Sequence, residues 1–273
     1  MSSLICWIGV DSRAHSSIYL ASDSRFSWSS RGRWDNGRKL FACRHSPDLL
    51  GYVGQVLFPS QVLSQVRDLI EEGLLFEFDA DPVEKRDAIF SQVKACFHTY
   101  PFDRQQTFTI VHATRRSEKM DSIFYVHTLS WNREGEWQPH TLATPAESGI
   151  VGVWGTGMVA VDRWHDRWRS SRQGGRTSRS AFSAFCDALA SGEDQLTGGP
   201  PQLVGLYRRG GGKCFGVVRG NSRYYLGADV TAHPVGADVE WYNALFERCD
   251  GGTMRPIEGA QRHPRARGLG KAL

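Results

Sequence analysis

The 273-residue sequence lacks the patterns that assign a chain to several common functional classes. Its six cysteines show no Cys-x-x-Cys or Cys-x-x-His spacing, and several fall inside apolar runs, so we expect buried thiols in a reducing compartment and no zinc site. No apolar run reaches the roughly 18 residues of a membrane span, and the first residues lack the cationic and hydrophobic segments of a secretion signal. These absences predict a soluble, cytoplasmic protein.

The sequence also lacks a large excess of charge of either sign. The formal net charge is +4, and the excess of basic residues is concentrated in residues 163–179 and 255–271. This balance is too small to indicate nucleic-acid binding by itself. What the sequence does contain is 40% hydrophobic residues with nine tryptophans, which is enough for a substantial core.

Hydrophobic periodicity predicts strands, two helices, strands, two helices and strands, in that order. The first helix follows Pro59, and the second begins with Asp81 as cap and Pro82 in the first turn. The predicted strands lie at residues 4–10, 18–22, 48–54, 107–114, 122–130, 137–143, 149–157, 202–208, 214–219 and 223–227. The second helix pair covers residues 161–168 and 182–189. Such an order buries best as two stacked sheets with helices outside each, an α+β four-layer αββα sandwich.

The chain shows no internal repeat and no domain boundary before about residue 228. We therefore predict one domain over residues 1–227 and an extension over residues 228–273. The extension contains one predicted helix, at residues 239–246, and then a Gly-, Pro- and Arg-rich end that we expect to be mobile.

Six short motifs follow one another between Ser2 and about Leu226. They are SSLICWIGV from Ser2, IYLASDSR with Asp23, GRKLF with Lys39, LLGYVG with Gly54, GVWGTGMVAVDRW with Thr156, and DQLTGGPPQLVGLY with Asp194 and Thr197. In this order, and with 16 residues from Asp23 to Lys39, the chain resembles the proteasome β-subunit family of N-terminal-nucleophile (Ntn) hydrolases. Each motif alone is weak, whereas six in register are specific.

The resemblance implies how the front of the chain would act. Removal of Met1 would leave Ser2 with a free α-amine, whose unperturbed pKa of about 7.7–8.0 suits it to take the hydroxyl proton near neutral pH. Lys39 would keep that amine unprotonated, and Asp23 would hold Lys39 through a charge-assisted hydrogen bond. The N–H of Gly54 is the implied oxyanion donor. The implied reaction is hydrolysis of a peptide or another amide through an acyl ester.

The resemblance also implies a supporting set of residues. Asp194, Thr156 and Thr197 would form a polar shell around the free amine. Tyr52 falls where the family has the floor of the pocket for the substrate side chain, and its ring predicts a shallow pocket. No metal or organic cofactor is implied, and because such subunits often assemble into rings, we expect a homo-oligomer. Serine as nucleophile, threonines in place of the two downstream serines and the C-terminal extension depart from the family pattern.

Each of these residues also has an ordinary structural interpretation. A serine at position 2 permits methionine removal in any protein, a strand-end aspartate often forms a turn, and a lone lysine is usually solvated. Gly54 can simply relieve crowding. Thr156 can cap a helix, and Asp194 with Thr197 can form a turn.

Three other functions compete with a peptidase. One is a catalytically silent subunit of the same fold that binds or supports a partner, and another is an amidohydrolase for a small amide. The third is nucleic-acid binding by the interleaved arginines and tryptophans of residues 163–179. Trp164 and Trp168 share a helical stripe with Val161, which favours packing against the core over stacking on bases.

Overall fold

The computed structural model describes residues 2–28, 32–101, 106–170 and 177–262. Its helices are α1 (Leu57–Glu71), α2 (Pro82–His98), α3 (Met158–Arg169) and α4 (Ser178–Ser191). Its strands are β1 (Ser3–Val10), β2 (His15–Ser22), β3 (Phe26–Trp28), β4 (Gly32–Trp34), β5 (Leu40–Ala42), β6 (Asp48–Gly54), β7 (Phe108–Arg116), β8 (Ile123–Trp131), β9 (Trp137–Leu142), β10 (Gly149–Gly155), β11 (Gln202–Tyr207), β12 (Lys213–Arg219), β13 (Ser222–Tyr225), β14 (Ala228–Asp229), β15 (Trp241–Asn243) and β16 (Arg248–Cys249).

Two sheets stack face to face. One has the order β10-β1-β2-β11-β12-β13-β14, with β15 and β16 joined beside β12, and the other has the order β5-β6-β7-β8-β9. Leucines and valines from both sheets, among them Leu4, Leu49 and Val204, form one buried core between them. Gly51 lets β6 approach β1 closely, because a Cβ there would lie 2.7 Å from the side chain of Leu4.

Helices cover the outer face of each sheet, which makes the four-layer αββα sandwich that the sequence predicts. The helices α1 and α2 pack on the five-stranded sheet through residues such as Val66, Val93 and Ile110. The other helices, α3 and α4, pack on the second sheet around Trp7 and Phe182. Central strands such as β1, β6 and β11 thus have both faces covered, which explains their nearly continuous apolar sequences, whereas the edge strand β9 is largely exposed.

Local signals placed α2 correctly. The carboxylate of Asp81 accepts a hydrogen bond from the N–H of Val83 over 2.9 Å, and Pro82 occupies the first turn, where its missing N–H costs nothing. Thr156 does not cap α3, although a helix cap was one of the two interpretations of this residue. Gly157 occupies the N-cap position, and no side-chain hydrogen bond caps this helix.

The helix predicted over residues 239–246 is wrong. Trp241 begins β15, which pairs in parallel with β12 from Gly216 to Val218. Asn243 then accepts hydrogen bonds from the N–H groups of Leu245 and Glu247, which closes a turn instead of a helix. Pairing with a neighbouring strand outweighs a short helical periodicity here.

The extension belongs to the same sheet and core as the rest of the fold. The ring of Phe246 lies 5.3 Å from that of Tyr19 and 5.4 Å from that of Phe182, measured between centroids. Of the Gly-, Pro- and Arg-rich end predicted to be mobile, the part up to residue 262 includes β16 and the turn after it, and residues 263–273 lie outside the described residues. Within the described ranges, no helix has both the length and the apolar character needed to span a bilayer.

Candidate functional site

Ser2, Asp23 and Lys39 meet at one point between the two sheets. The Lys39 ammonium donates to the Ser2 hydroxyl over 2.9 Å between Nζ and Oγ, and to the Asp23 carboxylate over 2.6 Å between Nζ and Oδ1. All three residues have 0% exposed surface. Ser2 precedes β1 and Asp23 follows β2 in the larger sheet, whereas Lys39 precedes β5 in the smaller one. The sandwich itself therefore brings these side chains together.

The Asp23 carboxylate is held at both oxygens. Oδ1 accepts the N–H of Ser3 over 2.9 Å in addition to the Lys39 ammonium. Oδ2 accepts the N–H groups of Gly198, over 3.1 Å, and Arg25, over 3.2 Å. Hydrogen bonds to a charged acceptor are strong, and a carboxylate without them is costly to bury. Asp23 is thus fixed as a buried anion that faces Lys39.

Burial and the carboxylate act on Lys39 in opposite directions. Burial lowers the pKa of Lys39 because the ammonium ion loses its hydration, and the charge and hydrogen bond of Asp23 oppose that shift. The ring of Phe26 lies below the ammonium, with 5.7 Å from Nζ to the ring centroid. A cation held at hydrogen-bonding distance from a hydroxyl stabilises the alkoxide that forms when the hydroxyl loses its proton.

The main chain of Ser2 is fixed by two glycines at the end of β10. Gly155 has φ of +96°, and a Cβ there would collide with the Ser2 carbonyl. The N–H of Gly157 donates to that carbonyl over 3.4 Å. The serine therefore lies between β10 and the Lys39 ammonium with little freedom to move.

Gly54 lies at the end of β6 beside an open cleft. It has φ of +96°, and a Cβ there would collide with the carbonyl of Thr107, so both its conformation and its packing require glycine. The cleft has a volume of about 620 Å³ and runs between Gly54, the β8–β9 turn at Asn132 and the β10–α3 turn at Thr156. It adjoins the site because Gly155, which contacts Ser2, also lines it.

The turn that carries Asp194 and Thr197 lies behind the start of β1. Thr197 donates through its N–H and its hydroxyl to the carbonyl of Asp194, over 3.3 and 3.2 Å. Oδ1 of Asp194 accepts the N–H of Leu196 over 2.9 Å, while Oδ2 is a buried oxygen without a hydrogen-bond partner. Gly157 packs between Ser3 and Thr197. These bonds fit the turn interpretation, and a role toward Ser2 stays a prediction.

Tyr52 and Thr156 differ in exposure to solvent, because Tyr52 is buried and Thr156 is exposed. Tyr52 is fully buried among the residues between the five-stranded sheet and its helices, and its hydroxyl donates to the carbonyl of Arg38 over 3.1 Å. Burial raises the pKa of Tyr52. Thr156 is exposed at the mouth of the cleft. The substrate-binding role of Tyr52 stays a prediction.

Two further residues shape the site, and sequence reasoning missed both. Arg25 pairs with Asp35 through two hydrogen bonds of 2.7 and 2.8 Å and donates to the carbonyls of Gln195 and Thr197. The side chain of Gln202 is buried beside Asp23. The signal for Gln202 was a lone polar residue at the start of the apolar strand QLVGLY.

A second buried polar centre lies at the far end of the five-stranded sheet. Asp48 accepts hydrogen bonds from His112, over 2.7 Å, from Lys85, over 3.1 Å, and from the Ser46 hydroxyl. Burial alone would raise the pKa of Asp48, but the His112 hydrogen bond and the charges of His112 and Lys85 outweigh it, and the pKa is lowered. Burial lowers the pKa of neighbouring His127 to about 3.

Two other features bear on possible partners. The described part of the chain contains no group of three or more His, Cys, Asp or Glu side chains arranged to hold a metal ion. In α3, Trp168 is buried and donates to the Asp187 carboxylate over 2.9 Å, and Trp164 donates to Glu193 over 3.0 Å. Trp168 thus packs against the core and is not available to stack on bases. Residues 171–176 of the basic segment lie outside the described residues.

Comparison with known proteins supports the fold. No protein-family model and no curated protein sequence matches the chain. Among solved structures, it is similar to Anbu (Gly-1 mutant) from Hyphomicrobium sp. strain MC1, with 14% identity, a TM-score of 0.51, and coverage of 84% of this chain and 88% of that one. A second Anbu structure from the same strain has 14% identity, a TM-score of 0.51, and coverage of 83% and 87%.

HslV from Trypanosoma brucei is a further similar structure, with 14% identity, a TM-score of 0.46, and coverage of 75% of this chain and 99% of that one. Identities this low show the fold, and the two Anbu structures carry that conclusion. The chain has the αββα Ntn-hydrolase fold, as the sequence motifs implied.

Proposed function

We propose that the protein is an N-terminal-serine hydrolase of the proteasome-like type, with Ser2 as nucleophile and a peptide or other amide as substrate. The observation that carries the proposal is the Lys39 ammonium at 2.9 Å from the Ser2 hydroxyl and 2.6 Å from the Asp23 carboxylate, with all three residues buried. A buried cation on a serine hydroxyl at the start of a strand has no evident use in packing, because a smaller apolar pair would avoid the cost of dehydration. Its chemistry suits an activated hydroxyl.

The reaction requires a mature chain that begins at Ser2. The α-amine takes the proton of the Ser2 hydroxyl while Oγ bonds to the amide carbon, and the Lys39 ammonium stabilises the negative oxygen. The N–H of Gly54 donates to the oxyanion of the tetrahedral intermediate. The protonated amine then gives its proton to the leaving nitrogen, which departs and leaves an acyl ester on Ser2. The same amine then takes a proton from water as the water oxygen bonds to the ester carbon, and it returns a proton to Oγ as the bond from Oγ to that carbon breaks, which releases the carboxylic acid and restores the Ser2 hydroxyl.

The cleft beside Gly54 is the proposed path for the substrate. Its lining combines polar side chains such as Thr109 and Ser130, whose hydroxyls lie 2.8 Å apart, with the charged and exposed Arg133 and Glu134. A volume of about 620 Å³ is within the range of small-molecule sites and accommodates a few residues of an extended peptide. Both a peptide and a smaller amide remain within the proposal.

The test begins with the mass of the intact protein, because a chain that keeps Met1 cannot use the Ser2 amine. Met1 itself lies outside the described residues. Mature protein is then treated with an electrophilic probe for serine and threonine nucleophiles, and with fluorogenic peptides. We expect one adduct per chain, located at Ser2 by peptide mapping.

Ser2→Ala and Ser2→Thr provide the matched variants. Ser2→Ala removes the hydroxyl and should take no label, whereas Ser2→Thr keeps the hydroxyl and should be labelled. Equal labelling of the wild type and Ser2→Ala would remove Ser2 from the mechanism. Hydrolysis of simple amides without hydrolysis of peptides would select the small-molecule hydrolase.

One observation favours a second candidate, a catalytically silent subunit that binds or supports a partner. Ser2 has 0% exposed surface, so an electrophile reaches its hydroxyl only after the residues at the start of the chain change conformation or Met1 is removed. Mature wild-type protein that takes no label, with its fold intact by circular dichroism, would select this candidate. Sedimentation velocity of the same sample tests the proposed homo-oligomer, and a monomer would reject it.

A further inference from the structure

The Gln202 side chain contacts both segments that carry the Asp23–Lys39 pair. Gln202 is 0% exposed and stands at the first position of β11. Its Oε1 accepts the main-chain N–H of Lys39 over 3.0 Å. Its Nε2 lies 3.1 Å from the Asp23 carbonyl oxygen, 2.8 Å from that of Gly37 and 3.0 Å from the Ser24 hydroxyl. One amide thus contacts both ends of the chain segment between the two charged residues.

These contacts cross from one sheet to the other. Gln202 lies on the same face of β11 as Val204 and Leu206, which belong to the core between the sheets. The segment from Asp23 to Lys39 leaves the larger sheet, forms the separate β3–β4 hairpin and enters the smaller sheet at β5. Strand pairing therefore does not set the distance between the two charged residues, and the Gln202 amide spans that gap.

We propose that Gln202 is a positioning residue for the proposed hydrolase, and that it sets the distance of the Lys39 ammonium from Ser2. The assignment rests on the proposed function. Gln202 does not touch the Ser2 hydroxyl in any hydrogen bond among the described residues. It acts through the main chain on either side of the buried ion pair.

Glutamine has the combination of groups that this position needs. The acceptor oxygen serves the Lys39 N–H, and the two hydrogens of the NH₂ group are shared among two carbonyls and a hydroxyl. The Ser24 hydroxyl gives its own hydrogen to the carbonyl of Pro200 over 2.7 Å and so presents a lone pair to Gln202. A carboxylate here would lack the donors, and an apolar side chain would leave buried polar groups unpaired.

Gln202→Met is the informative change, because methionine is close in size and carries neither donor nor acceptor. Without the hydrogen bonds of the Gln202 amide, we expect Lys39 to move from its place beside Ser2. The rate of Ser2 labelling should fall by about 10–100-fold, the usual effect of a small misplacement in an active site. The α-amine would also lose a neighbouring cation and bind its proton more tightly, so the pH midpoint of labelling should rise by about one unit.

The experiment uses the mature full-length protein, a fluorophosphonate probe, and adduct formation measured by intact mass between pH 5.5 and 9. Leu206→Val is the matched control, since it lies on the same strand and face but has no contact with Lys39 among the described hydrogen bonds. The folded fraction of each variant is measured at every pH. A second readout, the ¹⁵N resonance of the Lys39 ammonium, follows its position without any labelling.

A slower reaction with a raised midpoint in folded Gln202→Met, and neither change in Leu206→Val, supports the positioning role. Labelling that follows only the folded fraction, with an unchanged midpoint and an unchanged Lys39 resonance, overturns it. Wild-type protein that takes no label rejects the proposed function. In that case a Lys39 resonance that shifts in Gln202→Met but not in Leu206→Val still supports the positioning of Lys39, and an unshifted one rejects it.

Discussion

At the residue scale, the site consists of a buried ion pair that stability alone does not explain. Removing Lys39 and Asp23 from water costs several kcal/mol for each ion, and their attraction offsets this cost only with further hydrogen bonds. Those bonds come from the N–H groups of Ser3, Gly198 and Arg25. The arrangement leaves one ammonium hydrogen directed at a serine hydroxyl.

Lys39→Met should destabilise the fold strongly, because it leaves the buried Asp23 anion without its cation. We expect a loss of about 3–5 kcal/mol in the free energy of unfolding, measured by urea titration at pH 7. Adding Asp23→Asn to Lys39→Met should recover part of the loss. The exposed Arg163–Glu193 pair is the control, and Arg163→Met should cost about 1 kcal/mol or less. If Lys39→Met and Arg163→Met lowered the free energy of unfolding equally, the buried ion pair would be contradicted.

Gly54→Ala tests the close approach at the end of β6. Gly192 also has positive φ, but a Cβ there would meet nothing within 4 Å, so Gly192→Ala reports conformational strain alone. We expect Gly192→Ala to cost about 1 kcal/mol. Gly54→Ala should cost about 1–3 kcal/mol more, because its Cβ collides with the Thr107 carbonyl. Thermal unfolding of both variants measures the difference, and equal costs would show that the main chain relaxes freely at Gly54.

At the element scale, elements that carry their own local signals were predicted well. Elements that form by pairing with a distant segment were predicted poorly. The α2 helix carries its own cap and first-turn proline, and its start followed from the residues alone. Residues 239–246 have a helical periodicity, yet β12 offers them a strand partner, and the sequence does not show that partner. Gln202 was missed for the same reason, since its importance comes from Asp23 and Lys39, more than 160 residues away.

The polar end of the five-stranded sheet should make stability depend on pH. The folded pKa of His127 is lowered to about 3, while an unfolded histidine has a pKa of about 6.5. Between these values the unfolded chain binds a proton that the folded chain does not, so stability is full above pH 6.5 and is lost as the pH falls. For this one group the loss approaches about 1.4 kcal/mol per pH unit.

His127→Gln should reduce that slope, as measured by urea titration at pH 7.0, 5.5 and 4.5. The exposed neighbour His140 supplies the control, and His140→Gln should leave the slope as in the wild type. Equal slopes in the wild type and His127→Gln would show that His127 takes up its proton in the folded state as well.

At the scale of the whole molecule, the sandwich joins residues from the front, middle and end of the chain. The order of strands and helices predicted the four layers, and the family resemblance, which includes the separation of 16 residues from Asp23 to Lys39, predicted which charged residues meet. The motifs did not show that the extension enters the larger sheet, because its contacts are made by aromatic side chains whose partners lie near the start of the chain. The boundary at residue 227 therefore marks a difference in sequence resemblance more than a break in packing.

Phe246→Ala tests whether the extension contributes to the stability of the fold. Its ring packs on Trp7, Tyr19, Phe182 and Tyr242 at centroid distances of 6.0, 5.3, 5.4 and 4.8 Å. We expect a loss of about 3 kcal/mol in the free energy of unfolding, followed by tryptophan fluorescence in urea. Leu74→Ala, at an exposed position, is the control. A negligible loss for Phe246→Ala would indicate that the extension is a loosely attached appendage.

The main-chain N–H of Lys39 gives its hydrogen to the Gln202 side chain, outside any regular strand ladder. Its rate of deuterium uptake should therefore respond to this single contact more than to the surrounding sheet. Slow uptake at that amide would identify correctly assembled preparations before any substrate is known.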